Sequence, residues 1–316
     1  MFPFQSTGRP GAFSTVMSQS KVWFITGCST GMGKTIARAA LKRGDKVIAT
    51  ARNIAKLNDL KADGASVMEL DVTVEFDAIK AKAKEAEAIY GRVDVVVNNA
   101  GFAAVSPVEE LGGEGFVIQY KVNVFGVVNV TNAFLPYMRT RKEGTIIMMG
   151  SRSGWRKLKM LGAYSSSKAA VNILGEILAL EVAPFNIRVL TVVAGGIATD
   201  GQSGKASLRS EATSHPDFVG IDDYAPMHDL LEEYSNTLEG KQLGDPVKVA
   251  EVILDVVRGE GVMRTADGGL REWPERLVLG SDAEYDIRNT VKSHEKGMEE
   301  WHDVLVSTDR REFDPR

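Results

Sequence analysis

From Lys21 onward the chain alternates short β-branched apolar runs with longer stretches of helical period, and few architectures accept that rhythm. The runs are KVWFIT, KVIATA, SVMEL, RVDVVVN, GTIIMMG and IRVLTVV, with ERLVLG (275–280) a candidate seventh. Between them, 33–43, 74–90, 115–141, 163–183 and 246–258 carry helical periodicity, and 283–302 reads as a last helix. Parallel strands need crossover helices, and each helix buries its apolar stripe on the sheet. The strand runs are nearly continuous in apolar character, as strands covered on both faces require. The expectation is a single-domain α/β fold, a doubly wound parallel sheet of about seven strands.

Residues 21–316 show no second-domain boundary. The first 20 residues have Gly, Pro and Ser and no apolar h-region, so a disordered extension is expected, with a mitochondrial leader as the alternative. Residues 200–245 break the rhythm with Gly, Ser, Pro and acids around Phe218, Ile221, Tyr224, Met227, Leu230 and Leu231. An insertion of that length is expected to cover a substrate. The net charge of −4 gives no electrostatic case for nucleic acid or an anionic membrane. Cys28 is the only cysteine and the four histidines lack ligand spacing, so neither a disulfide nor a metal site is expected. His228 and Asp229 read as an exposed pair. No apolar run is long enough to span a membrane, and a cytoplasmic location is expected.

Directly after the first strand run comes TGCSTGMG, Thr26 to Gly33, opening the first helix. Gly27 permits a tight turn, Gly31 lets backbone approach a pyrophosphate, and Gly33 lets the helix pack close to the strand. The helix N-terminus then offers N–H groups to phosphate. The second run ends with neutral Thr50 and Ala51, followed by Arg52. An acid there would suit the ribose hydroxyls of NAD; arginine suits the 2′-phosphate of NADP.

In GAYSSSKAAV (162–171), Tyr164 and Lys168 stand one helical turn apart on one face. An ammonium ~5 Å from a phenol, at an effective dielectric of ~20, is expected to lower the tyrosine pKa by about two units. That would make Tyr164 a proton donor and acceptor near neutral pH.

Thr26–Gly33, LDVT (70–73), NNAG (98–101), Ser151 and Tyr164-x3-Lys168 stand in the order and approximate spacing of the short-chain dehydrogenase/reductase family. The chain resembles that family strongly over 21–200, and LVLGSDA and WHDVLVSTD resemble the tail of its 17β-hydroxysteroid-dehydrogenase-like subgroup. The resemblance implies a Rossmann fold binding NADP(H). Gly27, Ser29, Thr30, Gly31 and Met32 would form the phosphate turn, and Arg52 and Asn53 would follow the second strand. Asp71 and Val72 would contact the adenine, with Asn99, Ala100 and Gly101 near its ribose. Ile197 and Thr199 in VVAGGIATD would hold the nicotinamide end, although Ala194 replaces the family's usual proline.

The same resemblance implies catalysis by Asn123, Ser151, Tyr164 and Lys168, with Tyr164 and Lys168 also touching the cofactor. Ser151 would bind the substrate carbonyl, Tyr164 would exchange the proton, and Asn123 would help hold a relay water. The implied reaction interconverts a ketone and a secondary alcohol on a bulky, partly apolar small molecule. Alternatives are a non-redox dehydratase or epimerase and a catalytically silent NADP(H)-sensing protein. Phe102, Trp155, Leu158, Met160 and Leu161 are expected to border the substrate. Arg152, Arg156, Lys157 and Lys159 read as a solvated loop face, an acidic substrate being the alternative. A homo-oligomer packed through 115–141 and 163–183 is expected from the resemblance.

Overall fold

Period-two side-chain alternation in the first strand already defines two layers. In β1 (Val22–Ile25), Trp23 and Ile25 face one core while Val22 and Phe24 face the other, and all four are buried. The computed structural model describes residues 20–199, 218, 220–238 and 241–310. The expected N-terminal extension, apart from Ser20, and much of the 200–245 insertion lie outside these described residues.

Six further strands join β1: β2 (Lys46–Ala51), β3 (Ser66–Glu69), β4 (Val95–Asn98), β5 (Gly144–Met149), β6 (Ile187–Ala194) and β7 (Arg276–Leu279). They form one parallel sheet in the order β3-β2-β1-β4-β5-β6-β7. On one face lie α1 (Gly31–Lys42), short α2 (Asn58–Ala62) and α8 (Pro246–Arg258); on the other lie α3 (Phe76–Tyr90), α5 (Gly126–Arg141) and α6 (Gly162–Val182). Four more helices complete the described chain: α4 (Val108–Tyr120), α7 (Ala225–Leu238), α9 (Ser281–Glu300) and α10 (His302–Ser307). Every expected strand run forms a strand.

Local chemistry sets the boundaries. Asp245 caps α8 by accepting from Val247 N (2.8 Å) and Lys248 N (3.3 Å), Pro246 opens it, and Gly259 at φ +67° stops it. One expectation needs correction: 115–141 is not a single helix. The segment begins earlier, at Val108, and a wide π turn over Lys121–Phe125 separates α4 from α5. The buried Asn123 sits in that turn, where its amide bonds the Phe102 backbone in both directions (3.0 and 3.1 Å).

Sheet order reverses at β1, which pairs with β2 on one side and β4 on the other. Connections leaving β1 and β4 therefore diverge, opening a crevice at the carboxyl ends of the strands. At the opposite end the sheet is closed by a buried charge. Asp45 accepts from Trp23 Nε1 (2.8 Å), Lys21 N (2.9 Å) and Arg258 Nη1 (2.7 Å), joining β1, β2 and α8.

Arg258→Met should strand the Asp45 carboxylate and lower stability by about 3–5 kcal/mol in urea denaturation. Adding Asp45→Asn should restore more than half of that loss, because no buried charge then remains.

Candidate active site

The crevice is a cleft of about 1390 Å³. Single-ligand pockets span roughly 300–1,000 Å³, so there is space for a dinucleotide-sized molecule and a second ligand. Its first wall is the turn after β1. Thr26 Oγ1 accepts from Asn99 N (3.0 Å) and Ala100 N (2.9 Å), and Asn99 Nδ2 donates to Thr26 O (2.9 Å) and Gly27 O (3.1 Å). This lacing draws the end of β4 against the turn so closely that a Cβ on Gly27, where φ is +71°, would lie 2.8 Å from Ala100 Cα. A Cβ on Gly33 would collide with the Asn99 amide.

Beyond the turn, Ser29, Thr30, Gly31 and Met32 line the cleft at the α1 N-terminus, and no acid occupies the helix's first turn. Arg52 lines it after β2, Asp71 and Val72 after β3, and Asn99, Ala100 and Gly101 after β4. Ile197 and Thr199 line it after β6. Asn53 is not in the lining; its side chain accepts from Ala55 N (3.0 Å) and caps a short 3-10 turn. The loop carrying Ala194 in place of proline is braced from elsewhere. Gly195 N donates to Leu279 O (2.8 Å), and Gly196 N donates to Asp282 Oδ2 (2.9 Å).

Ser151, Tyr164 and Lys168 converge in the same cleft. Ser151 follows β5, its hydroxyl accepting from Ser153 N (3.1 Å) and hydrogen-bonded to the Tyr164 phenol. Lys168 is buried, and Nζ donates to Met149 O (2.7 Å), its one hydrogen-bond partner among the described residues. Two of its N–H donors therefore remain unspent beside the cleft. Asn123 lies beneath, outside the lining; it donates to Ser167 Oγ (3.1 Å), which donates to Tyr164 O (2.7 Å).

Burial reverses the expected effect of Lys168 on Tyr164. Loss of water holds the phenol above its ordinary range, the Ser151 hydrogen bond opposing it, and pushes the Lys168 ammonium down to about 8. The ammonium lies 5.9 Å from the ring centroid and turns one N–H to a carbonyl, so desolvation exceeds attraction.

Phe102, Leu158, Met160 and Leu161 border the cleft as expected, and Lys157 and Lys159 are exposed at it. Trp155 is a correction: it lies outside the lining, stacked against the Arg276 guanidinium at 4.5 Å. Arg152 and Arg156 are another. Neither is merely solvated, since Arg152 pairs with Asp282 (3.1 Å) and Asp286 (2.8 Å), and Arg156 with Asp286 (3.0 Å). Asp282 thus ties the Ser151 loop to the Gly196 loop, a role hidden in the sequence because only folding brings α9 to that point.

The insertion leaves and rejoins the body at one place: Ala198 N donates to Gly244 O (2.9 Å), and Gly244 N to Gly196 O (2.8 Å). Its described helix α7 lays Met227, Leu230 and Leu231 along the cleft. His228 is not an isolated surface residue, because its Nε2 meets the buried Glu110 Oε2 at 2.7 Å. Glu110 also accepts from Ile221 N (2.9 Å) and Ser106 Oγ (2.9 Å), fastening α7 to α4. Among the described residues no group of acids, histidines and cysteines could hold a metal ion, and no helix is long and apolar enough to cross a membrane.

Comparisons with known proteins bear on the family and the fold. Residues 21–209 match the family model described as short chain dehydrogenase. Oxidoreductase BOA17 of Botryotinia fuckeliana (strain B05.10) is 33% identical over 293 residues, covering 92% of this chain and 99% of that protein. An NADPH-dependent 1-acyldihydroxyacetone phosphate reductase of Schizosaccharomyces pombe is 30% identical across 71% of this chain and 74% of its own length. The crystal structure of a short-chain dehydrogenase from Streptomyces avermitilis has a TM-score of 0.75 at 34% identity, covering 93% of this chain and 100% of its own.

The Lys168 shift has a consequence for stability. Below pH about 8 both folded and unfolded chains carry that proton; above it the folded chain loses the proton while the unfolded chain keeps it up to about 10.5. The contribution of Lys168 to stability therefore rises with pH in this window, by about 2 kcal/mol between about 8 and 9.5. The buried Cys28 thiol, pushed up to about 12, opposes it in both proteins, so urea denaturation across that range should show the lysine's share as wild type gaining on Lys168→Met by that amount.

Proposed function

The chain belongs to the short-chain dehydrogenase/reductase family, and on that premise we propose that this oxidoreductase uses NADP(H) to interconvert a ketone and a secondary alcohol on a bulky, partly apolar molecule. One observation carries the reading: a serine hydroxyl, a phenol and a buried ammonium with unspent donors meet in a cleft too large for one ligand.

The residues present fit the cofactor. Among the described residues a Cβ on Gly31 would meet only Thr199, at 3.7 Å, so the turn is open toward the cleft, and the α1 N-terminus suits a pyrophosphate. Arg52 would hold the 2′-phosphate, Asp71 and Val72 the adenine, and Ile197 and Thr199 the nicotinamide end. Lys168 would donate its unspent N–H groups to the nicotinamide ribose. When bound, the cofactor supplies or accepts the hydride.

The chain's own residues handle orientation and the proton. Ser151 Oγ donates to the substrate oxygen and holds it beside the Tyr164 hydroxyl. Tyr164 gives its proton to that oxygen in reduction and takes it back in oxidation. The raised phenol range keeps Tyr164 protonated at neutral pH, and Lys168 compensates the phenolate left after transfer. Asn123 steadies the floor through Ser167 and Phe102. Phe102, Leu158, Met160, Met227 and Leu230 exclude water around an apolar substrate, with α7 as cover. The reading places the chain in the 17β-hydroxysteroid-dehydrogenase-like subgroup, in the cytoplasm. It also makes it a homo-oligomer, supported by Phe125, Ile173, Ile177 and Leu180 standing exposed around α5 and α6.

A panel of bulky ketones and alcohols followed by NADPH absorbance tests the activity, with turnover of none counting against it. Tyr164→Phe should cut kcat by about 10²–10⁴-fold and leave NADPH affinity nearly unchanged; retention of a tenth of wild-type kcat overturns the proton role. In fluorescence titrations Arg52→Ala should weaken NADPH binding by about 10- to 150-fold and spare NADH. Equal weakening of both cofactors rules out the phosphate assignment.

A further inference from the structure

Helix α6 carries a third polar side chain in line with Tyr164 and Lys168. Asn172 lies one further turn along, four residues beyond Lys168, and is 4% exposed. Its Nδ2 donates to Ser151 O at 3.2 Å. The preceding turn makes the matching contact, Lys168 Nζ to Met149 O at 2.7 Å. Two carbonyls two residues apart at the end of β5 are therefore gripped by two side chains one helical turn apart.

The surroundings are shaped to that amide. A Cβ on Gly154 would lie 2.7 Å from Asn172 Nδ2, and a Cβ on Gly150 would collide with Asn172 Oδ1. Glycine at both ends of GSRSG is thus what lets the asparagine enter beneath the serine loop. A buried side-chain amide is costly unless it is hydrogen-bonded, and here Oδ1 has no partner among the described residues. Simple packing would be better served by leucine, which has similar volume and no polar atoms.

We infer that Asn172 is a positioning residue for Ser151, holding the serine's backbone so that its hydroxyl stays on the Tyr164 phenol. The inference rests on the proposed roles of Ser151 and Tyr164. Asn172 touches neither reacting group directly. It fixes the height of the strand end above α6, and the Ser151–Tyr164 hydrogen bond follows from that height. Lys168 shares the task only while its ammonium remains on Met149 O; once that ammonium turns to another ligand, Asn172 is, among the described residues, the α6 side chain still holding the backbone of this strand end.

The test needs no substrate. Tyrosine labelled with 13C at Cζ gives each phenol its own NMR titration, and Tyr164→Phe assigns the relevant signal. Ser151→Ala should raise the Tyr164 midpoint by about 0.5–1 pH unit, the worth of one neutral hydrogen bond. Asn172→Leu, which keeps volume but removes the donor, should raise it by a similar amount. The double variant Ser151→Ala/Asn172→Leu should go no further than Ser151→Ala alone. Asn172→Ala serves as a second variant, and near-UV circular dichroism verifies folding in each. A midpoint that moves in Ser151→Ala but stays at the wild-type value in both Asn172 variants overturns the positioning role. A midpoint unmoved by Ser151→Ala itself overturns the Ser151–Tyr164 pairing, and the inference falls with it.

Discussion

Everything in the cleft depends on how closely the turn after β1 approaches the end of β4. Thr26 and Asn99 lace the two together through four hydrogen bonds, and the contact is possible only because Gly27 and Gly33 have no Cβ. This is also where the sheet order reverses. The crevice is therefore a product of topology, but its depth is set by glycine. A side chain at either position would push α1 away from the sheet, and the helix N-terminus would no longer face the site.

A second constraint governs the chemistry. The site holds a phenol and an ammonium in a place that disfavours both charged forms. In water the pair would resemble ordinary surface residues. Out of water, the phenol keeps its proton and the ammonium is close to losing one, so a ligand bringing hydroxyl or phosphate groups changes their balance strongly. The fold carries this cost through fixed partners: Met149 O for the ammonium and the Ser151 hydroxyl for the phenol. Both come from the end of β5, which makes the register of that strand against α6 the quantity most worth holding constant.

The side of the cleft under α7 is held by carboxylates in a different way. Glu110 fastens the described part of the insertion to α4, while Asp282 fastens the serine loop to the loop after β6. Each is a buried or partly buried acid that satisfies backbone N–H groups as well as a cationic or titratable side chain. Such anchors fix loops that have little apolar surface of their own.

Sequence alone determined the layers, the seven strands and, Asn53 apart, the residues of the glycine-rich turn and the strand ends that line the cleft. Those features are local: strand runs, a glycine-rich turn, and a tyrosine and lysine at helical spacing are each readable within ten residues. Their limits were physical too. The Tyr164–Lys168 spacing was legible, but the direction of the phenol's shift was not, because desolvation depends on everything packed around the pair. Trp155 stood near the serine in sequence, yet folding turned it onto Arg276. His228 and Glu110, Arg152 and Asp286, and Asp282 and Gly196 are partners separated by more than 80 residues. No spacing rule reaches across such distances, so only the tertiary structure decided which acids brace the cleft and which loop each one holds.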